Sequence, residues 1–152
     1  MISKDIVKNI VLSVTADTAI FLVDVSVNSA NKISVEADKP EGITIEECVM
    51  ISRAIESGLN RETEDFELEV SSPGLNEPFK VLAQYRKNCG RRVQVVKRDG
   101  QKIVGLLQHV DDEGIVLETE AKIKEAGQKR PKTVIQPVSI KFSDIKTSKS
   151  QL

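Results

Sequence analysis

Aromatic side chains are almost missing from this chain: four Phe, one Tyr and no Trp in 152 residues. Stacking of bases on an aromatic platform is therefore not expected as the main mode of any nucleic-acid binding, and the core has to be aliphatic. Cysteine and histidine are as scarce. Cys48, Cys89 and His109 stand far apart in sequence, so there is no disulfide framework and no spacing suited to zinc. No run comes near the roughly 18 consecutive apolar residues of a membrane helix. The opening MISKDIVKNI lacks the basic-then-apolar layout of a secretion signal. A soluble, cytoplasmic protein is expected.

Catalytic constellations are missing too. His109 lies in a strand pattern with no Ser or Cys near it in sequence, whereas a triad needs a nucleophile, a base and an orienting group. Cys48 falls on an apolar helix face and reads as a small core residue. Cys89 precedes Gly90 near Lys87 and Arg91; neighbouring cations lower a thiol's pKa, but a merely exposed thiol is the simpler expectation. No glycine-rich phosphate loop occurs, and Asp111–Glu113 lacks the alternating ligands of a calcium loop. No enzyme activity, metal or cofactor is expected.

What is present is charge, and it is segregated. Residues 1–80 hold 7 Lys/Arg against 15 Asp/Glu, and residues 81–152 hold 15 against 8. A net −1 thus conceals an acidic half and a basic half. The division suggests two domains with different partners, the basic one suited to RNA. A second reading is that the halves neutralise one another.

Hydrophobic periodicity organises both halves. Ile2, Ile6, Ile10 and Val14, flanked by Val7 and Val11, mark a helix over 2–16 with Ser3 as its cap. Ile20–Val27 is rich in β-branched residues and predicts a strand, and Asn28–Asn31 a turn. Ile33, Val35 and Ala37 then alternate with polar neighbours, predicting a second strand in a hairpin. Thr44 and Glu47 form a capping box before Ile45, Cys48, Val49, Ile51, Ile55 and Leu59, an apolar helix face. Phe66, Leu68 and Val70 alternate in a third strand. The order helix-strand-strand-helix-strand predicts a small α+β domain over 1–80. Over 81–152 the pattern changes to short strands: 91–98, a tight turn at Asp99-Gly100, 101–110, 115–119 and 133–141. The third and fourth are joined by a polar loop over 120–132. Pro137 marks an edge strand, and 142–145 leads to a last brief strand that frays after Thr147. This predicts a small all-β barrel of the SH3 or Sm kind.

One segment stands apart. Leu68–Pro78 reads LEVSSPGLNEP: a strand ending in a turn, with Pro73 fixing φ and Gly74 free to take the positive φ of a type II turn. Ser71 and Ser72 either tie that turn down or offer donors to a partner. The segment resembles the hallmark of the RimP family of ribosome maturation factors. So does the upstream Asp38–Cys48, DKPEGITIEEC, with Ser52-Arg53 after it. The likeness covers residues 20–98 well and the remainder by pattern. Where the family usually has Asp-Arg before the proline, this chain has Asn76-Glu77, and Phe66 stands where tyrosine is common.

The resemblance implies an N-terminal α+β domain, a C-terminal Sm/SH3-like barrel, and a monomer that binds the free 30S subunit and assists its late maturation. It implies 16S rRNA and a ribosomal protein of the decoding region as partners. On that footing Arg86, Lys87, Arg91, Arg92, Lys97 and Arg98 are candidate contacts to rRNA phosphates. Lys122, Lys124, Lys129, Arg130 and Lys132 extend the set from the loop. Ser71, Ser72, Pro73 and Gly74 are a candidate partner-binding surface. Two rivals predict otherwise: a general Sm-like RNA chaperone forms rings, and an RNA-modifying enzyme needs convergent polar groups.

Overall fold

The computed structural model describes residues 1–123, 127, 130 and 132–151. It divides into two compact units, Met1–Gly74 and Leu75–Leu152.

The first unit runs α1 (Lys4–Thr15), β1 (Phe21–Val27), β2 (Lys32–Asp38), α2 (Ile45–Gly58) and β3 (Glu67–Ser71). The sheet order is β1-β2-β3. β1 and β2 form the expected antiparallel hairpin, whereas β3 returns after α2 and pairs parallel to β2. Ile33, Val35 and Ala37 are fully buried, as their alternation predicts. They pack with Val7 and Val11 of α1 and Ile51 and Ile55 of α2. Ser3 caps α1, its hydroxyl accepting the Ile6 N–H. At α2 the Thr44 hydroxyl accepts the Glu47 N–H (3.2 Å), and the Glu47 carboxylate accepts the Thr44 N–H (3.0 Å). Such a cap stabilises a helix by about 1 kcal/mol.

Both helix faces differ in detail from their periodicity. On α1 the buried line is Val7–Val11, and Ile6 is exposed. On α2 only Ile51 and Ile55 are fully buried, while Ile45 is 82% and Val49 41% exposed. Ile45 precedes Ile51 by six residues, which at ~100° per residue places it ~120° round the helix. It belongs to a different face.

The second unit contains α3 (Leu82–Lys87), β4 (Arg92–Lys97), β5 (Lys102–Val110), β6 (Gly114–Ile123), β7 (Lys132–Lys141), a 3-10 turn (Phe142–Asp144) and β8 (Ile145–Ser150). The strands are antiparallel, in the order β7-β6-β5-β4-β8. No pairing between β7 and β8 closes this order among the described residues. Pro137 does lie on an edge strand, opposite Glu118. Two expectations are corrected. The polar loop of 120–132 is shorter, because β6 and β7 stay paired out to Ile123 and Lys132; strand pairing outweighs the polar composition there. The chain past Thr147 is also ordered, since Ser148, Lys149 and Ser150 pair with β4. The Ser148 side chain is held by a 2.9 Å hydrogen bond from the Tyr85 hydroxyl. Tyr85 sits edge-on to both Phe79 and Phe142. Three of the five aromatic residues therefore meet in one small core.

Candidate binding surfaces

The basic residues of β4 and its surroundings fall into two groups. Arg86 and Lys87 close α3, Arg91 follows the turn at Gly90, and Arg92 opens β4. Two backbone bonds, Gly90 N–H to Leu107 O (2.8 Å) and Leu107 N–H to Arg91 O (2.9 Å), fix this corner against β5. Lys97 and Arg98 lie at the other end of β4, roughly 17 Å away at ~3.3 Å per residue. There the Arg98 guanidinium donates to the Ser143 carbonyl (2.7 Å) and its N–H to the Asp144 carbonyl. Exposed Lys102, opposite Val96, and exposed Lys146, beside the β8 bulge, complete the second group. Neither lysine stood out in the sequence, because only strand register brings them to this end.

Carboxylates temper the first group. Arg86 lies 3.7 Å from Asp112, both exposed. Arg92 borders a hollow of about 420 Å³ with Leu106, Glu118 and Ile135 on its walls. Of the loop residues, Arg130 is exposed at a bend. The Lys122 and Lys132 backbones pair with Thr133 and Ile123. Lys124 and Lys129 lie outside the described residues.

The Ser71–Gly74 segment is placed differently from its prediction. Positive φ occurs at Gly42, Gly90, Gly100 and Gly127 but not at Gly74. The turn falls at Leu75-Asn76 instead. Pro73 explains the shift: it disfavours helical φ/ψ at Ser72 and holds the chain extended beyond β3. Ser71 and Ser72 border a groove of about 350 Å³ whose other wall is the start of α2, with Ile45, Cys48 and Val49. Helix periodicity alone assigned those residues to the core. Their exposure beside the serines is the signal that the sequence reading missed.

The titratable groups nearby are already committed. Glu47 is held below the ordinary carboxylate range by the Thr44 N–H and then by Lys39, 3.0 Å away. Cys48 is half-buried rather than core. Burial, then the Glu47 and Asp38 carboxylates, push its pKa up, which disfavours the nucleophilic thiolate form. His109 is exposed, with Nε2 3.5 Å from Asp111. Among the described residues no three His, Cys, Asp or Glu side chains gather as metal ligands.

The family model described as the RimP N-terminal domain matches residues 10–76. A protein of Porphyromonas gingivalis named ribosome maturation factor RimP is 39% identical over 146 residues, 96% of each chain. Relatives of the same name from Christiangramia forsetii and Flavobacterium psychrophilum are 38% and 36% identical, covering 90% and 83% of this chain and 88% and 81% of their own.

Proposed function

The chain belongs to the RimP family of ribosome maturation factors, and we propose that it works by binding the free 30S subunit and assisting its late assembly in the cytoplasm. The observation that carries this reading is likeness along 96% of both chains, across the acidic and the basic unit alike. A likeness confined to one unit would speak only for that unit.

The basic unit contacts 16S rRNA through phosphates, with Arg86, Lys87, Arg91 and Arg92 as one group and Lys97 and Arg98 as the other. Arg130 and its loop neighbours add to the set. Such contacts position a protein on RNA without reading sequence. The acidic unit suits a lysine-rich ribosomal protein of the decoding region, approached through the groove beside Ser71–Gly74. The second unit is taken as a small barrel of the SH3 or Sm kind. Five short antiparallel strands, with bulges at Val96/Lys97 and Leu107/His109, support that, because bulges bend a sheet towards closure. The factor acts as a monomer and turns over no substrate.

Capture of ribosomal particles tests the proposal. The full chain, immobilised, should retain free 30S subunits and release assembled ribosomes. Equal retention of both, or of neither, would refute it.

A further inference from the structure

The first unit has an unused strand edge. β3 ends the order β1-β2-β3, and its pairing to β2 starts with the Glu67 N–H donating to the Asn31 carbonyl (3.1 Å). In a parallel pair alternate residues bond to the neighbour. Glu67, Glu69 and Ser71 therefore face β2, and the N–H and C=O groups of Leu68 and Val70 point the other way. Among the described residues of this unit no further strand pairs with them, β3 being the last of its sheet. Beside this edge runs the groove bordered by Val70, Ser71 and Ser72 and by Ile45 and Val49 of α2. An exposed edge with an apolar groove next to it is the arrangement that takes up an extended peptide: main-chain bonds give affinity, and the pocket selects alternate side chains.

Charge decides what can enter. Glu67 and Glu69 are exposed along β3 and Glu46 is exposed beside Ile45. The unit as a whole carries 6 Lys/Arg against 14 Asp/Glu. Lys39, near the α2 start, is bonded to Glu47. Acids directly opposite acids destabilise a strand pair, so a second copy of this edge is repelled and a basic strand is attracted. We infer that the free edge of β3 receives an extended, basic, β-branched segment of a partner protein as a fourth strand, seating an aliphatic side chain between Ile45, Val49 and Val70. This rests on the assembly-factor reading and gives the acidic unit's partner a binding mode.

The probe is a synthetic peptide of about eight residues alternating Lys or Arg with Val or Ile, titrated calorimetrically into the full chain. N-methylating one set of its alternate amides should abolish binding, and methylating the other set should not. Amide exchange at Leu68 and Val70 should slow on binding. Val70→Pro removes an outward N–H together with one wall of the groove and should weaken the probe at least about tenfold. Should that variant fold poorly, Ile45→Lys with Val49→Lys, at exposed helix positions, should do the same. Equal binding of both methylated peptides, of a Glu-for-Lys peptide, or of the doubly substituted variant overturns the inference. Free 30S capture by wild type separates the two levels. Capture that persists undiminished in both variants sinks strand addition and leaves the assembly role intact, whereas wild type that captures nothing sinks both.

Discussion

Removing Arg91 and Arg92 together tests the basic surface most directly. Each phosphate contact contributes roughly 0.7 to 0.9 to the slope of log affinity against log salt. The six described candidates on α3 and β4, if all engaged, predict a slope of roughly −4 to −5. That is a loss of about 300- to 2000-fold between ~50 and ~200 mM salt. Arg91→Gln with Arg92→Gln should lower the slope by about 1.4 to 1.8. The structure adds a condition on the second group. Lys97 and Arg98 sit roughly 17 Å from Arg92, about two Debye lengths at physiological salt. Neutralising the two groups should therefore be additive, each keeping its own share of the slope.

Asp112 supplies a control of opposite sign. It lies 3.7 Å from Arg86 at an exposed position, and a carboxylate there competes with phosphate for the guanidinium. Asp112→Asn should strengthen binding modestly while Lys4→Gln with Lys8→Gln, on exposed α1 positions of the acidic unit, should leave the slope unchanged. Fluorescence anisotropy on labelled 16S rRNA, run across salt for each variant, reads all of these. A salt-independent affinity, or an equal drop in slope from the α1 lysines, would refute the phosphate-contact argument.

Other outcomes follow from the same geometry. Tyr85→Phe removes the hydroxyl that reaches Ser148 and should cost about 1 kcal/mol, read by urea unfolding; no loss would mean the bond is idle. Thr44→Ala breaks the α2 cap and should cost about 1 kcal/mol with circular dichroism otherwise unchanged. Glu47, Asp65 and Asp111 all titrate below their ordinary values when folded. Their stabilisation is thus complete above the unfolded carboxylate range and lost as pH falls through the lower folded values. Melting temperature should drop below about pH 4.5, less so in Glu47→Gln; a flat profile there would contradict it. The fragment Met1–Gly74 should give a dispersed amide spectrum by itself, since its helices and sheet share one core.

Most of the fold was legible because its signals are local. The Ser3 and Thr44 caps, the Ile33-Val35-Ala37 alternation and the Asp99-Gly100 turn each depend on neighbours within a few residues. What was not legible depends on distant partners. β6 and β7 run through a segment whose polar composition reads as loop, because each supplies the other's hydrogen bonds. Ser148 stays ordered through Tyr85, sixty-three residues away. Gly74 misled for a related reason: a Pro-Gly pair suits a type II turn, but Pro73 also favours extended geometry before it, and only the direction of the chain beyond β3 decides between the two.

The misread apolar residues carry the functional argument. Ile45 and Val49 completed an apparent helix face, and a closed core would have buried them. They remain exposed beside β3, the last strand of its sheet, where Ser71 and Ser72 follow. A sequence reading assigns every apolar residue to the interior because burial is the dominant drive of folding. An apolar residue that stays outside beside an open strand edge keeps that drive unspent, and association with another chain is the remaining way to satisfy it. In the proposed association the acidic residues around the edge would act as a filter, admitting a basic strand and turning away the protein's own. On the proposed reading the two surfaces divide the task by chemistry: phosphate for the cations of β4, basic polypeptide for the edge of β3.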